Sequence, residues 1–251
     1  MRIFQNNLSI AGSTYPQPVD VFILTGQSNA QGTGLNSEAT AGEVSKNFNT
    51  RIYNTSTNAF EPLEIGVNNL ASALARHGLE LGLALYTQKP IYIIKWAVSG
   101  TCISEHLTGG SVYNNLFPNY VTEGINQLID YGKIPRVSLI YAQGECDSNT
   151  QVNTDAYSAN FDAWVSLWQG HFGTDLPIYA VEIIETEARD AQINQVFASK
   201  ALTEPNMTVI DTADWTSDDD LHYDYDYLKN IASRIVTAEQ SKRGVSVTQQ
   251  L

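Results

Sequence analysis

Apolar positions recur along this chain in short runs, separated by longer stretches where they return every third or fourth residue. Residues 19–25, 91–98, 136–142, 177–184 and 207–211 are rich in β-branched and aromatic side chains and read as strands, with a weaker run near 51–53. Between them the period lengthens. Tyr157, Phe161, Trp164 and Trp168 share one helical face, with Gly170 as a candidate stop. Val121, Ile125 and Leu128 do the same before Gly132, as do Leu228, Ile231, Ala232 and Ile235 near the end. Residues 68–88 read as one longer helix closed by Pro90. Strands alternating with helices imply right-handed crossovers and a mostly parallel sheet covered on both faces. The expectation is a single α/β domain over 1–251, a three-layer α/β/α sandwich with a mostly parallel central sheet. Residues 1–17 read as a lead-in, 33–66 as a polar surface excursion, and 244–251 as a frayed tail.

That architecture sorts the polar residues. In a parallel sheet, loops running from strand to helix all lie at one edge, where open α/β sheets bind ligands. Ser28 follows the first strand inside Gly26-Gln27-Ser28-Asn29-Ala30, a turn with nothing apolar to bury. It serves there either as a helix cap or as an exposed nucleophile. Gly100 and Thr101 follow the 91–98 strand, and Gln143, Gly144, Glu145 and Asp147 follow the 136–142 strand. Asp219 and His222 lie beyond the last strand.

Of four histidines, His171 falls on the opposite edge and His77 lies in the apolar stripe Leu70, Leu74, Leu81, Leu85. His106 is on the right edge. His222 is too, and it has a carboxylate three residues earlier, close enough for Asp219 to hold Nδ1–H and leave Nε2 as an acceptor. Ser28, His222 and Asp219 thus make a candidate nucleophile, base and orienter. The bland alternative for Ser217-Asp218-Asp219-Asp220 is a solvated acidic turn.

Composition narrows the function. Hydrophobic content of 43% and charged content of 16% are globular values. A net charge of −13 argues against a nucleic-acid or anionic-membrane partner. No apolar run reaches the length of a membrane span and the N-terminus lacks a signal-peptide core, so the expected location is cytoplasmic or within a virus particle. No cofactor and no metal are expected, the run Asp218–Asp220 reading as a turn. Cys102 and Cys146 follow consecutive parallel strands of the chain; two unlinked thiols are the favoured reading, with a disulfide as the alternative.

These blocks resemble the SGNH (GDSL-like) hydrolase superfamily, in its sialate O-acetylesterase and carbohydrate acetylesterase branch. The matching segments are Gly26-Gln27-Ser28-Asn29-Ala30, Lys95-Trp96-Ala97-Val98-Ser99-Gly100-Thr101, Gln143-Gly144-Glu145 and Asp219-Asp220-Leu221-His222, in family order. Ser99 stands where the branch usually has Gly, and Cys146 where it often has Ser. The resemblance implies a serine esterase removing O-acetyl groups from a glycan or similar small ester. Ser28, His222 and Asp219 would be catalytic. The Ser28 and Gly100 N–H groups and the Gln143 amide would form the oxyanion hole. Gln27, Asn29, Thr101, Glu145 and His106 would support the site, Glu145 by binding loop groups. A glycan-binding or virion structural module on the same fold, or a lipid or thioester hydrolase, are the alternatives.

Overall fold

The computed structural model describes residues 16–45, 47–214, 217 and 219–243. Most of the expected lead-in and all of the expected tail lie outside the described residues, as does Asp218. The strands are β1 (Gln17–Gly26), β2 (Gly34–Leu35), β3 (Asn47–Asn54), β4 (Ala59–Leu63), β5 (Arg76–His77), β6 (Ile91–Lys95), β7 (Lys133–Ala142), β8 (Ile178–Val181) and β9 (Met207–Ile210). We number the helices α1 (Ser28–Gln31), α2 (Leu79–Tyr86), α3 (Ser111–Leu116), α4 (Glu123–Asp130), α5 (Glu145–Ser148), α6 (Gln151–Phe172), α7 (Ala188–Ala201) and α8 (Tyr225–Lys242).

The central sheet has seven strands in the order β4-β3-β6-β1-β7-β8-β9. All neighbours are parallel except β3 and β4, which form an antiparallel hairpin. β1 lies in the middle, with Leu24 opposite Lys95 on one side and Ile140 on the other. Burial on both faces explains its unbroken apolar run, Val21 to Leu24. One face is covered by α2 and α8, whose Leu79, Leu83, Leu228, Ile231 and Ile235 pack on Phe22, Leu24 and Ile140. Opposite, Trp164, Trp168, Phe161 and Phe197 pack on Ile23, Leu139 and Tyr141. The Trp164 ring stacks on Tyr141 at 4.0 Å between centroids. The three-layer expectation holds.

Three local expectations do not. Residues 68–88 are not one helix. Asn68 and Asn69 accept the N–H groups of Glu64 and Gly66, closing turns that compete with a helix. Arg76 and His77 then pair with β2, and the helix starts only after Gly78. The stripe is broken accordingly, with Leu74 exposed. Second, the 33–66 stretch is not wholly a surface excursion, because the β3–β4 hairpin extends the central sheet. Third, α6 runs through Gly170 to Phe172 and is closed by Gly173, whose φ of +95° suits a helix exit.

Candidate active site

β1 ends at Gly26 with φ +144°, where a Cβ would stand 2.0 Å from the Ala142 carbonyl oxygen. Only glycine permits that approach. The Gln27 N–H donates to the same carbonyl at 2.9 Å, and α1 opens at once on Ser28. The Ser28 hydroxyl therefore stands just past the central strand, on the ligand-binding edge. It caps nothing in α1.

The Asp219–His222 turn reaches that hydroxyl from the far end of the sheet. His222 Nε2 lies 3.1 Å from Ser28 Oγ, and Nδ1 lies 2.7 Å from Asp219 Oδ2. Asp219 Oδ1 also accepts the N–H groups of His222 and Leu221, at 2.7 and 3.0 Å. Burial alone would raise the Asp219 pKa, but the hydrogen bonds from the His222 ring and from these two N–H groups together lower it to about 2. It is a carboxylate at any working pH. Asp220 takes a φ of +58°, a backbone setting that aspartate tolerates better than most residues.

Asn29 holds this turn against the serine. Its Nδ2 donates to the Leu221 carbonyl at 3.1 Å, and its Oδ1 accepts the Tyr223 N–H at 3.1 Å. The two bonds bracket His222. A third, from Nδ2 to Glu145 Oε1 at 2.6 Å, engages a second carboxyl of the cavity. Burial raises the Glu145 pKa, against the opposing effect of its hydrogen bonds. Glu145 thus bonds to Asn29, and the ring bonds to Asp219.

Beyond β6, Gly100 has φ +74° and open space around its Cα. The left-handed backbone, not crowding, requires glycine there. Ser99 needs no such conformation, so the departure at that position is tolerated, and its N–H and hydroxyl both donate to Gln31 Oε1. Among the described residues, no acceptor takes the Ser28 or Gly100 N–H. Both residues line one cavity of about 730 Å³, together with Gln27, Glu145, Asp219 and His222. That volume is within the range of small-molecule sites.

Gln143 is not at this cavity. It is fully buried, and its Nε2 donates to Asp147 Oδ2 at 2.6 Å and to the Thr101 carbonyl at 3.1 Å. Its Oε1 accepts the hydroxyls of Tyr141 and Tyr157. Saturated by these partners, the amide braces the loop carrying Gly100 and has no donor left for an oxyanion. Gln27 lies nearer, lining the cavity while its Oε1 accepts the Cys146 N–H at 3.1 Å. Thr101 and His106 are buried behind the loop and bonded to each other at 3.0 Å. Burial lowers the His106 pKa to about 3, so it is neutral packing, edge-on to Tyr141, and does not line the cavity. His77 is likewise a packed residue, with Nδ1 on Asn36, and His171 meets the Tyr113 hydroxyl on α3, remote from Ser28.

Cys102 and Cys146 form a disulfide, against the expectation of free thiols. The Gly100 loop and the start of α5 bring their Cα atoms to 4.9 Å, within bridging distance. Arg76 and Ser72 also line the cavity. Neither was singled out in the sequence, because the segment carrying them reads there as a helix.

Residues 18–240 match the family model for carbohydrate esterase, sialic acid-specific acetylesterase. No curated protein sequence matches the chain. Among solved structures, a protein of Arabidopsis thaliana superposes with a TM-score of 0.74 at 18% identity, over 89% of this chain and 98% of that one. NanS gives 0.64 at 13% identity, over 92% and 99%. A carbohydrate acetylesterase from Xanthomonas citri gives 0.61 at 16% identity over 92% of this chain, which spans 57% of the Xanthomonas protein. At such identities the superpositions establish the fold.

Proposed function

This chain belongs to the carbohydrate esterase family of sialic acid-specific acetylesterases and is a carbohydrate O-acetylesterase; we propose that it works through Ser28 as nucleophile, His222 as base and Asp219 as the group that orients the ring. A neutral serine hydroxyl is a weak nucleophile and needs a base in hydrogen-bond reach. The observation that carries the reading is the continuous line from Ser28 Oγ through the imidazole to Asp219, with contacts of 3.1 and 2.7 Å.

In this mechanism Ser28 Oγ attacks the acetyl carbonyl carbon while His222 Nε2 takes the hydroxyl proton. Asp219 stabilises the imidazolium without accepting the proton. The carbonyl electrons move onto oxygen, which the Ser28 and Gly100 N–H groups receive. Each such donor is worth about 3 kcal/mol in the transition state. Collapse breaks the bond to the sugar oxygen, and His222 returns its proton to that leaving alkoxide. Water then attacks the acetyl-serine, His222 takes a proton from it, and acetate and the free hydroxyl of Ser28 result. Gln27 and Glu145 form the wall beside the donors, and Asn29 fixes the histidine turn.

Acetate release from a panel of O-acetylated glycans tests the assignment. Ser28→Ala is expected to abolish release while binding and melting stay near wild type. Full turnover by purified Ser28→Ala protein would falsify it. A module that binds glycans without turnover would release no acetate even with Ser28 in place.

A further inference from the structure

We propose that Arg76 selects O-acetylated acidic sugars, its guanidinium receiving the sugar carboxylate while the acetyl group lies at Ser28. This rests on the Ser28 esterase reading. Arg76 is the one lysine or arginine lining the catalytic cavity among the described residues. It is held in place from below, since Nη1 donates to the Thr33 carbonyl and its own backbone pairs with Leu35. Guanidinium carries five N–H donors in a planar fork, so that single bond leaves most of them open.

The other well-placed cations of the molecule are neutralised. Lys95, Arg136, Lys200, Lys229, Arg234 and Arg243 each meet a carboxylate within 4.0 Å. Arg76 meets none among the described residues, in a chain whose net charge is −13. The cavity's own carboxylates do not serve it. Asp219 is bound to His222, Glu145 to Asn29, and Asp224 accepts the Tyr227 N–H at the start of α8. The remaining one, Glu38, is solvent-exposed. A fixed, unpaired fork facing a ligand cavity matches the bidentate geometry of an incoming carboxylate.

The test compares wild type, Arg76→Gln and Arg76→Lys on an O-acetylated N-acetylneuraminic acid and on the carboxyl methyl ester of the same sugar. Wild type is expected to favour the free acid by about ten- to hundredfold in kcat/KM, expressed through KM, as a charge-assisted contact would give. Arg76→Gln should bring that ratio close to one, and Arg76→Lys should restore part of it. Equal wild-type rates on acid and methyl ester overturn the proposal. So does a Gln variant that slows both substrates alike with the ratio intact, the signature of a role confined to holding Thr33. Ser28→Ala runs alongside: turnover surviving there defeats the esterase assignment itself, whereas a flat acid preference defeats only the role of Arg76.

Discussion

Replacing both Cys102 and Cys146 by serine removes a crosslink between residues 44 apart. Loop-closure entropy for a ring of that size corresponds to about 4 kcal/mol of stability at 25 °C. For a chain of this length, one kcal/mol moves the melting point by roughly 2–4 °C, so the variant should melt about 10 °C lower. Activity should fall as well. Cys102 stands two residues after Gly100, and the Cys146 N–H donates to Gln27, so the bridge joins the two walls beside the proposed oxyanion donors. Loss of their alignment is expected to reduce kcat by about ten- to hundredfold, the cost of a misplacement on the order of 1 Å. Urea unfolding and acetate release, each with and without reductant, read both effects. A double-serine variant within about 1 kcal/mol of wild type, together with a wild type indifferent to reductant, would refute the loop-closure argument.

Asp219→Asn is expected to lower kcat by about 10²–10⁴-fold, through loss of the imidazolium's counter-charge and of the tautomer lock. Glu145→Gln, which keeps an acceptor for Asn29, should cost less than about tenfold by the same reasoning; the reverse ranking would transfer the orienting role to Glu145. The buried His106 shapes acid stability. Its pKa falls from 6.5 to about 3 on folding, so below pH 6.5 the unfolded chain binds a proton that the folded one refuses. Stability should therefore drop as pH falls through that window, by up to ~1.4 kcal/mol per pH unit from this group, with no further loss from it below 3. His106→Gln should flatten that limb in melts taken from pH 7 to 4, and an unchanged limb would mean the ring is protonated in the folded state.

The strands and the line of Ser28, His222 and Asp219 were legible because each rests on a local signal fixed by topology. An apolar run ends at a glycine, and an acid precedes a histidine by three residues; a parallel sheet places both at one edge. What escaped was settled by contacts across the chain. Asn68 and Asn69 turn a helical pattern into loop by accepting nearby N–H groups. The side chain of Gln143 lies at the expected strand end, yet Tyr141, Tyr157, Thr101 and Asp147 take up its whole amide. The pairing of Cys102 with Cys146 depended on how closely two loops approach, which spacing does not encode. Arg76 escaped for the same reason, since its place at the cavity follows from pairing with β2.

Asn29 grips both flanks of His222 from a position directly beside Ser28, across 194 residues of sequence. The proposed nucleophile and base therefore ride on one clamp, while Leu35 and Arg76 reach the cavity from the β2–β5 pair and Ser72 from the bend before it, none of which the clamp involves. If Arg76 selects the sugar as proposed, preference is an interchangeable part: exchanging those segments between relatives should retarget the enzyme without rebuilding the machinery that cuts.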